Sequence, residues 1–208
     1  MKSFTLFVIF IFQAIISSTY AQDIYDQALS LTSNLDNGKN SYRLCASCHL
    51  DNGMGKVNGS FPVIASQHKS VVIKQLKDIQ SKHRDNPTMY PFSDPKTIGG
   101  VQAIADVAGY IQSLPHIVRG SGVGPGGNLR NGRSLYIANC TACHGLDGSG
   151  NAEQMFPRIK SQHYEYLLRQ LKWMRDGYRA NTNPAMLNLI KNMSDSELSD
   201  LADYVSRL

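Results

Sequence analysis

The chain has 208 residues, which permits one or two domains. Its 21 basic and 16 acidic side chains give a net charge of +5. The calculated isoelectric point is about 9.0, yet Lys and Arg form no clustered stripe along the sequence. The composition therefore gives no support to a nucleic-acid-binding function.

The first 21 residues are organised like a secretory signal. Lys2 precedes an apolar stretch from Phe4 to Ile16, and small and polar residues then lead to Ala21. This stretch is shorter than the roughly 20 residues that a membrane-spanning helix requires. We therefore predict a signal peptide at 1–21, cleaved after Ala21, and a soluble mature protein. Membrane association is expected only if the segment is retained as an anchor.

Cys-x-x-Cys-His occurs twice, and the two runs contain all four cysteines of the chain. Two thiols at this spacing can bond to the two vinyl groups of one porphyrin, and the adjacent imidazole then lies beneath the iron. A Cys-x-x-Cys pair also occurs in zinc sites and redox dithiols. Here no further cysteine completes a zinc site, and a dithiol has no use for the histidine. The motifs predict two covalently bound haems c. Their thioether cysteines and iron-ligating histidines are Cys45, Cys48 and His49, and Cys140, Cys143 and His144.

The two motifs belong to a duplicated segment. A shift of 95 residues aligns Cys45 with Cys140, and the agreement continues over about forty positions. Such a repeat indicates two copies of one domain. We predict domain 1 at 22–117, a Gly-rich linker at 118–129 and domain 2 at 130–208. The matching stretches after the motifs are Phe61-Pro62 with Phe156-Pro157, Ser66-Gln67-His68 with Ser161-Gln162-His163, Gln75-Leu76-Lys77 with Gln170-Leu171-Lys172, and Arg84 with Arg179.

The secondary-structure signals are helical in both copies. Apolar residues recur at helical spacing over about 67–83 and 162–177, and helices are also predicted at about 37–45 and 130–140. Ser66 and Ser161 are the predicted N-caps, and Gly177 is a predicted helix end. Ser194 to Glu197 is a capping box that opens a last helix, through Tyr204. No alternating run requires a sheet. The sequence therefore predicts an all-α fold with a small helical bundle around each haem.

The second axial ligand of each iron decides whether a haem carries electrons or performs chemistry. Met89 and Met186 occupy matching positions late in both copies, each following a Pro at the same distance. They are the predicted ligands, since thioether ligation raises the reduction potential and closes the iron to substrates. Met193 is the rival of Met186. The repeated His68 and His163 offer a bis-histidine alternative, although a surface or capping role is more usual for histidines at the start of a helix.

In combination, the repeated CxxCH, FPxIxSQH, QLK, arginine and PxM motifs resemble the dihaem class I cytochromes c of the cytochrome c4 family. This resemblance implies two tandem class I cytochrome c domains whose haems face one another near the interface. It also implies that the carbonyls of Pro62 and Pro157 orient the ligating histidines. By the same resemblance, Arg84 and Arg179 lie near the haem propionates, with solvated surface charge as the alternative. The chain departs from the family at Leu50, where Gly is usual.

These features predict a periplasmic electron carrier and not an enzyme. Each iron is expected to exchange single electrons by outer-sphere transfer without changing ligands. The expected partners are redox proteins, namely a membrane cytochrome complex, a terminal oxidase or a periplasmic dehydrogenase. Two alternatives remain open at this point. The chain could be the cytochrome subunit of an oxidoreductase such as a flavocytochrome c sulfide dehydrogenase, or a dihaem peroxidase.

Overall fold

The structure is a computed structural model that describes residues 24–116 and 122–208. The predicted signal peptide at 1–21 and residues 118–121 of the predicted linker lie outside these ranges. We call 24–116 copy 1 and 122–208 copy 2. Copy 1 contains α1 at 24–30, α2 Leu35–His49, α3 Lys69–Gln80, α4 Tyr90–Ser93, α5 Pro95–Ile98 and α6 Val101–Ser113. Copy 2 contains α7 Leu129–Asn139, α8 Thr141–His144, α9 Tyr164–Arg175, α10 Pro184–Ile190 and α11 Asp195–Ser206.

The prediction of an all-α fold is confirmed for the described residues, whose only β-bridge joins Asn151 to Phe156. Within the same residues, no helix combines the length and the apolar character needed to cross a membrane.

Both copies use the same helix crossing, in which the helix before the haem motif packs against the last helix. The pair is α2 with α6 in copy 1 and α7 with α11 in copy 2. A Cβ added to Gly38 would lie 2.2 Å from the carbonyl oxygen of Asp106, and one added to Gly132 would lie 2.1 Å from that of Asp200. Only glycine permits this approach, so the two helices cross almost backbone to backbone.

A tyrosine pair fills the crossing beside each glycine. The ring centroids of Tyr42 and Tyr110 are 5.3 Å apart, and those of Tyr136 and Tyr204 are 5.6 Å apart. Aromatic rings at this distance attract one another in addition to burying apolar surface. The crossing is thus a rigid frame from which the haem motif extends.

The predicted caps were right at two helix ends and wrong at two others. Ser194 and Glu197 form the predicted capping box, and Gly177 has a positive φ of 82° just beyond α9. Ser66 and Ser161, however, are not N-caps, because α3 and α9 begin three residues later. Both serines have positive φ angles, 61° and 51°, so the chain turns sharply there before each helix begins.

The haem motif meets its helix differently in the two copies. In copy 1, α2 continues without a break to His49, whereas in copy 2 the helix ends at Asn139 and α8 begins at Thr141. Three residue steps separate Tyr42 from Cys45, but four separate Tyr136 from Cys140. Copy 2 therefore has one extra residue before the motif, and Cys140 leaves the regular helix to accommodate it.

The described part of the predicted linker packs against copy 2. The amides of Gly126 and Gly127 donate to Oδ2 of Asp203 over 2.6 and 3.1 Å, and the amide of Gly124 donates to Oγ of Ser206. Because Asp203 and Ser206 belong to α11, residues 122–128 are tied to the helix that closes copy 2.

Candidate haem sites

The structure places His49 beside Pro62, as the resemblance implied. His49 is buried at the end of α2, and its Nδ1 lies 3.0 Å from the carbonyl oxygen of Pro62. A carbonyl can only accept, so Nδ1 carries the proton and Nε2 retains its lone pair. Burial also lowers the pKa of His49, which favours the neutral imidazole that iron binds.

Copy 2 repeats this arrangement with the same geometry. Nδ1 of the buried His144 lies 3.0 Å from the carbonyl oxygen of Pro157, and burial lowers the pKa of the imidazole. Each motif therefore presents a histidine whose ring is held by one nitrogen and whose other nitrogen can coordinate iron. This donor geometry fits an axial haem ligand.

A buried tyrosine anchors the residue that follows each histidine. The hydroxyl of Tyr42 donates to the carbonyl of Leu50 over 2.8 Å, and that of Tyr136 donates to the carbonyl of Gly145 over 2.6 Å. The backbone angles there are φ 66° and ψ 161° at Leu50, and φ 77° and ψ 166° at Gly145. This region is essentially restricted to glycine. Leu50 thus occupies a strained position, which is why the departure from the family pattern matters.

The first cysteine of each motif lies against an apolar cluster. Burial raises the pKa of the Cys45 and Cys140 thiols to about 11, with a smaller effect from the second thiol of each motif. Such surroundings suit a porphyrin, whose faces are apolar. The clusters include Val63, Val107 and Ile111 in copy 1, and Leu167, Leu171 and Leu201 in copy 2.

The two methionines that the sequence favours as ligands are half-buried near short helices. Met89 immediately precedes α4, and Met186 lies in the first turn of α10. Met186 packs against the apolar cluster of copy 2, and so does its rival Met193. Their assignment as axial ligands stays a prediction.

The repeated glutamine of each Ser-Gln-His motif reaches across to the other copy. The side chain of Gln162 accepts a hydrogen bond from the amide of Val63 and donates one to its carbonyl, over 2.9 and 2.8 Å. Gln67 does the same to Arg158, over 3.0 and 2.9 Å. The interface between the copies is therefore built from reciprocal contacts. Sequence reasoning did not find this role, although recurrence of the glutamine in both copies was the available signal.

The repeated histidines also belong to this interface. Nε2 of His68 lies 2.8 Å from the carbonyl oxygen of Ser149, and Nε2 of His163 lies 2.7 Å from that of Met54. Their side chains make no capping hydrogen bond at α3 or α9. The surface or capping role expected from the sequence was wrong, because the ring nitrogens bind carbonyls of the other copy.

The two repeated arginines meet between the copies. Arg84 donates to Gln75 over 2.6 Å and to the hydroxyl of Tyr166 over 2.7 Å, and Arg179 donates to Gln170 over 2.8 Å and to Gln75 over 3.2 Å. Burial and then the charge of Arg84 lower the pKa of Arg179 to about 10. The hydrogen-bond partners of these two cations are neutral, and the nearby carboxylate of Asp78 offsets the lowering of the Arg179 pKa only in part. A further anionic group would therefore stabilise the pair, which fits the predicted haem propionates.

Taken together, two small helical bundles, each with an oriented histidine at the end of a Cys-x-x-Cys-His motif, define a dihaem class I cytochrome c. The Cytochrome c family model matches residues 129–208. A cytochrome c4 of Thiocapsa roseopersicina is 30% identical over 79% of this chain and 87% of its own length. The chain belongs to the cytochrome c4 family.

Two further comparisons agree with this assignment. The crystal structure of reduced recombinant cytochrome c4 from Pseudomonas stutzeri superimposes with a TM-score of 0.75 at 25% identity, covering 85% of this chain and all of that one. A thiosulfate dehydrogenase electron acceptor of Stutzerimonas stutzeri is 32% identical over 79% of this chain and 78% of its own length. The protein is thus an electron-transfer cytochrome and not an enzyme, and it carries two covalently bound haems c.

Proposed function

We propose that this protein shuttles single electrons in the periplasm between respiratory partners, toward a terminal oxidase. The observation that carries the proposal is the pair of equivalent His–Pro hydrogen bonds, one at each Cys-x-x-Cys-His motif. Two sites with the same ligand geometry suit repeated one-electron exchange better than a division into a catalytic and an electron-donating haem. The signal-like residues 1–21 support export, and haem attachment in bacteria takes place outside the cytoplasm.

In this proposal His49 and Met89 hold one iron, and His144 and Met186 hold the other. When bound, haem iron cycles between its ferric and ferrous states and so accepts or donates one electron. The chain would keep each histidine oriented through its proline, supply a thioether as the second iron ligand, and surround the porphyrin with apolar side chains. Arg84 and Arg179 would balance the propionate charges between the copies.

A redox titration monitored by the weak methionine–sulfur absorption band tests the ligand assignment. The unmodified protein should show two transitions at positive potential with the band present for both haems. Met89→Ala and Met186→Ala should each remove the band from one haem. Met193→Ala is the matched control for copy 2 and should leave both bands unchanged. Loss of a band in Met193→Ala, with retention in Met186→Ala, would overturn the assignment of Met186.

Peroxide reduction separates the carrier from the peroxidase alternative. A thioether on each iron leaves no open position, so the unmodified protein should reduce peroxide no faster than background. Met89→Ala should open one position and create this activity. Reduction of peroxide at enzymatic rates by the unmodified protein would contradict the carrier proposal.

The electron donor is proposed on a separate observation. Because a relative bears the name of an electron acceptor for thiosulfate dehydrogenase, we propose a periplasmic dehydrogenase as a donor. Rapid-mixing measurements with such an enzyme and its substrate should show reduction of both haems. If the protein instead purifies in a stable complex with a flavoprotein, it is a cytochrome subunit of an oxidoreductase and not a free carrier.

A further inference from the structure

One peptide unit connects the ligating histidine of copy 1 to copy 2. The carbonyl of Pro62, which accepts from His49, and the amide of Val63, which donates to Gln162, belong to the same planar group. Gln162 also donates a hydrogen bond to the carbonyl of Val63, so its side-chain amide makes two hydrogen bonds to this residue. Both bonds from Gln162 are buried, where hydrogen bonds are strengthened by the low local dielectric.

The converse connection starts in copy 2. The carbonyl of Pro157 accepts from His144, and the amide of Arg158 in the same peptide donates to Gln67 of copy 1 over 3.0 Å. Gln67 also donates to the carbonyl of Arg158 over 2.9 Å. Each copy therefore holds the histidine of the other copy through a single rigid peptide.

Such a peptide group positions the histidine and also transmits electronic polarisation to it. When its N–H donates a hydrogen bond, the group becomes more polarised and its carbonyl becomes a better acceptor. A stronger hydrogen bond from Nδ1 to this carbonyl makes the imidazole more electron-donating, and a more donating ligand favours ferric over ferrous iron. The glutamine of one copy can thus influence the potential of the haem in the other.

We propose that Gln162 and Gln67 are crossed positioning residues, each of which lowers the reduction potential of the haem in the opposite copy through the Pro62–Val63 or Pro157–Arg158 peptide. The inference rests on the proposed ligation of iron by His49 and His144. It assigns the repeated glutamines a role that is separate from docking the two copies. Neither glutamine touches the histidine that it affects.

The test is a redox titration of the full-length holoprotein carrying Gln162→Met, a change that keeps the side-chain length and removes both hydrogen bonds to Val63, together with the one that Gln162 accepts from the amide of His163. The potential of the copy-1 haem should rise, with the ferrous-to-ferric ratio at a fixed potential increasing about threefold. This is smaller than the roughly 10- to 100-fold loss of metal affinity or activity that follows removal of a direct partner of a metal ligand. Gln67→Met should shift the copy-2 haem in the same direction. The two haems are assigned by nuclear Overhauser contacts from their methyl groups to residues of each copy.

Ser70→Ala is the matched control. It removes a hydrogen bond of 2.6 Å from copy 1 to the carbonyl of Ala152 in copy 2, at a point away from both peptides. It should leave both potentials unchanged. If Gln162→Met does not assemble, Gln162→Asn retains a buried amide that is too short to reach both groups of Val63, and the same copy-1 shift is expected.

The crossed pattern is the result that supports the proposal. Equal shifts of both haems in Gln162→Met, a larger shift in copy 2, or no shift would overturn it, because a loosened interface has no reason to act on one haem. Failure of the underlying ligand assignment is distinguishable, since the unmodified protein would then lack low-spin spectra with histidine ligation, whatever the variants show.

Discussion

The two copies agree closely around each histidine and differ where that site is joined to the rest of the bundle. The Nδ1-to-carbonyl distance is 3.0 Å in both, and the same glycine contact and tyrosine pair frame both sites. Leu50, however, occupies the strained backbone position that Gly145 occupies in copy 2. The helix before the motif is continuous in copy 1 and broken at Cys140 in copy 2.

This difference shows which parts of the duplicated domain the iron sites require. The helix crossing and the His–Pro bond are present in both copies because they fix the position of the motif histidine. The continuity of the helix before the motif varies, and so do the contacts of the segment that precedes it, because more than one arrangement holds the same helix crossing in place. Both copies anchor that segment through an asparagine amide, which donates to Asp106 from Asn34 and to Asp200 from Asn128, and copy 2 adds the bonds from Gly126 and Gly127 to Asp203.

The largest expected effect tests the shared frame. Gly38→Ala and Gly132→Ala should each lower the free energy of unfolding by about 3 kcal/mol, the upper end of the usual cost of overpacking. The reason is that the added methyl group would meet a backbone carbonyl at about 2 Å, and neither helix can give way cheaply. Guanidinium titration of the holoprotein measures the change.

Gly127→Ala is the control for these two variants. The nearest atom to its added Cβ would be Oδ1 of Asp200 at 3.5 Å, an ordinary contact, so little destabilisation is expected. A large cost at Gly38 together with a negligible one at Gly132 would contradict the equivalence of the two crossings.

The second effect concerns the anchor that distinguishes copy 2. Asp203→Asn should cost about 2 kcal/mol, because both carboxylate oxygens are used and a buried donor then loses its acceptor. Oδ2 accepts from two amides, and Oδ1 binds Arg207 over 2.8 Å. Asp106→Asn in copy 1 should cost less, since Oδ1 alone accepts from both Asn34 and Gln102. Equal losses in thermal unfolding experiments would refute this distinction.

Much of the site was predictable because the chain contains its own comparison. Recurrence of the motif predicted the haem cysteines and histidines, and recurrence of Pro62 as Pro157 fitted the family resemblance. The role of Gln67 and Gln162 was not predictable, since their partners lie 91 and 99 residues away and no local pattern reports such contacts.

Two local features were also missed, each for a physical reason. Ser66 and Ser161 have the side chain of an N-cap but a left-handed backbone, and residue type alone does not determine φ. The extra residue in copy 2 was hidden because the alignment began at Cys45 and Cys140. The preceding tyrosines match only when the shift is reduced by one residue.

A smaller effect on stability is expected at the residue after each histidine, which is Leu50 in copy 1 and Gly145 in copy 2. Leu50→Gly should raise the free energy of unfolding by about 1 kcal/mol, as the relief of backbone strain exceeds the added chain entropy of glycine. Gly145→Ala should lower it by about 1 kcal/mol for the converse reason. Chemical denaturation measures both changes. A stabilising Gly145→Ala would show that the positive φ at this position carries no strain.

The smallest effect concerns pH and the buried histidine of the interface. Burial lowers the pKa of His163 below its ordinary value of 6.5, and the bond to the carbonyl of Met54 opposes this only in part. The unfolded chain then binds more protons than the folded one as the pH falls below about 6.5, so His163 stabilises the fold at higher pH and this contribution is lost on acidification.

His163→Gln retains a donor at the position of Nε2 and removes the titrating ring, so it should reduce the fall in the free energy of unfolding between pH 7 and pH 5. His163 is only 4% exposed, and its Nδ1 has no hydrogen-bond partner among the residues that the structure describes. Denaturant titration of both proteins at pH 7 and pH 5, with both haems kept reduced, measures the change, and an undiminished fall in His163→Gln would show that acid acts elsewhere in the fold.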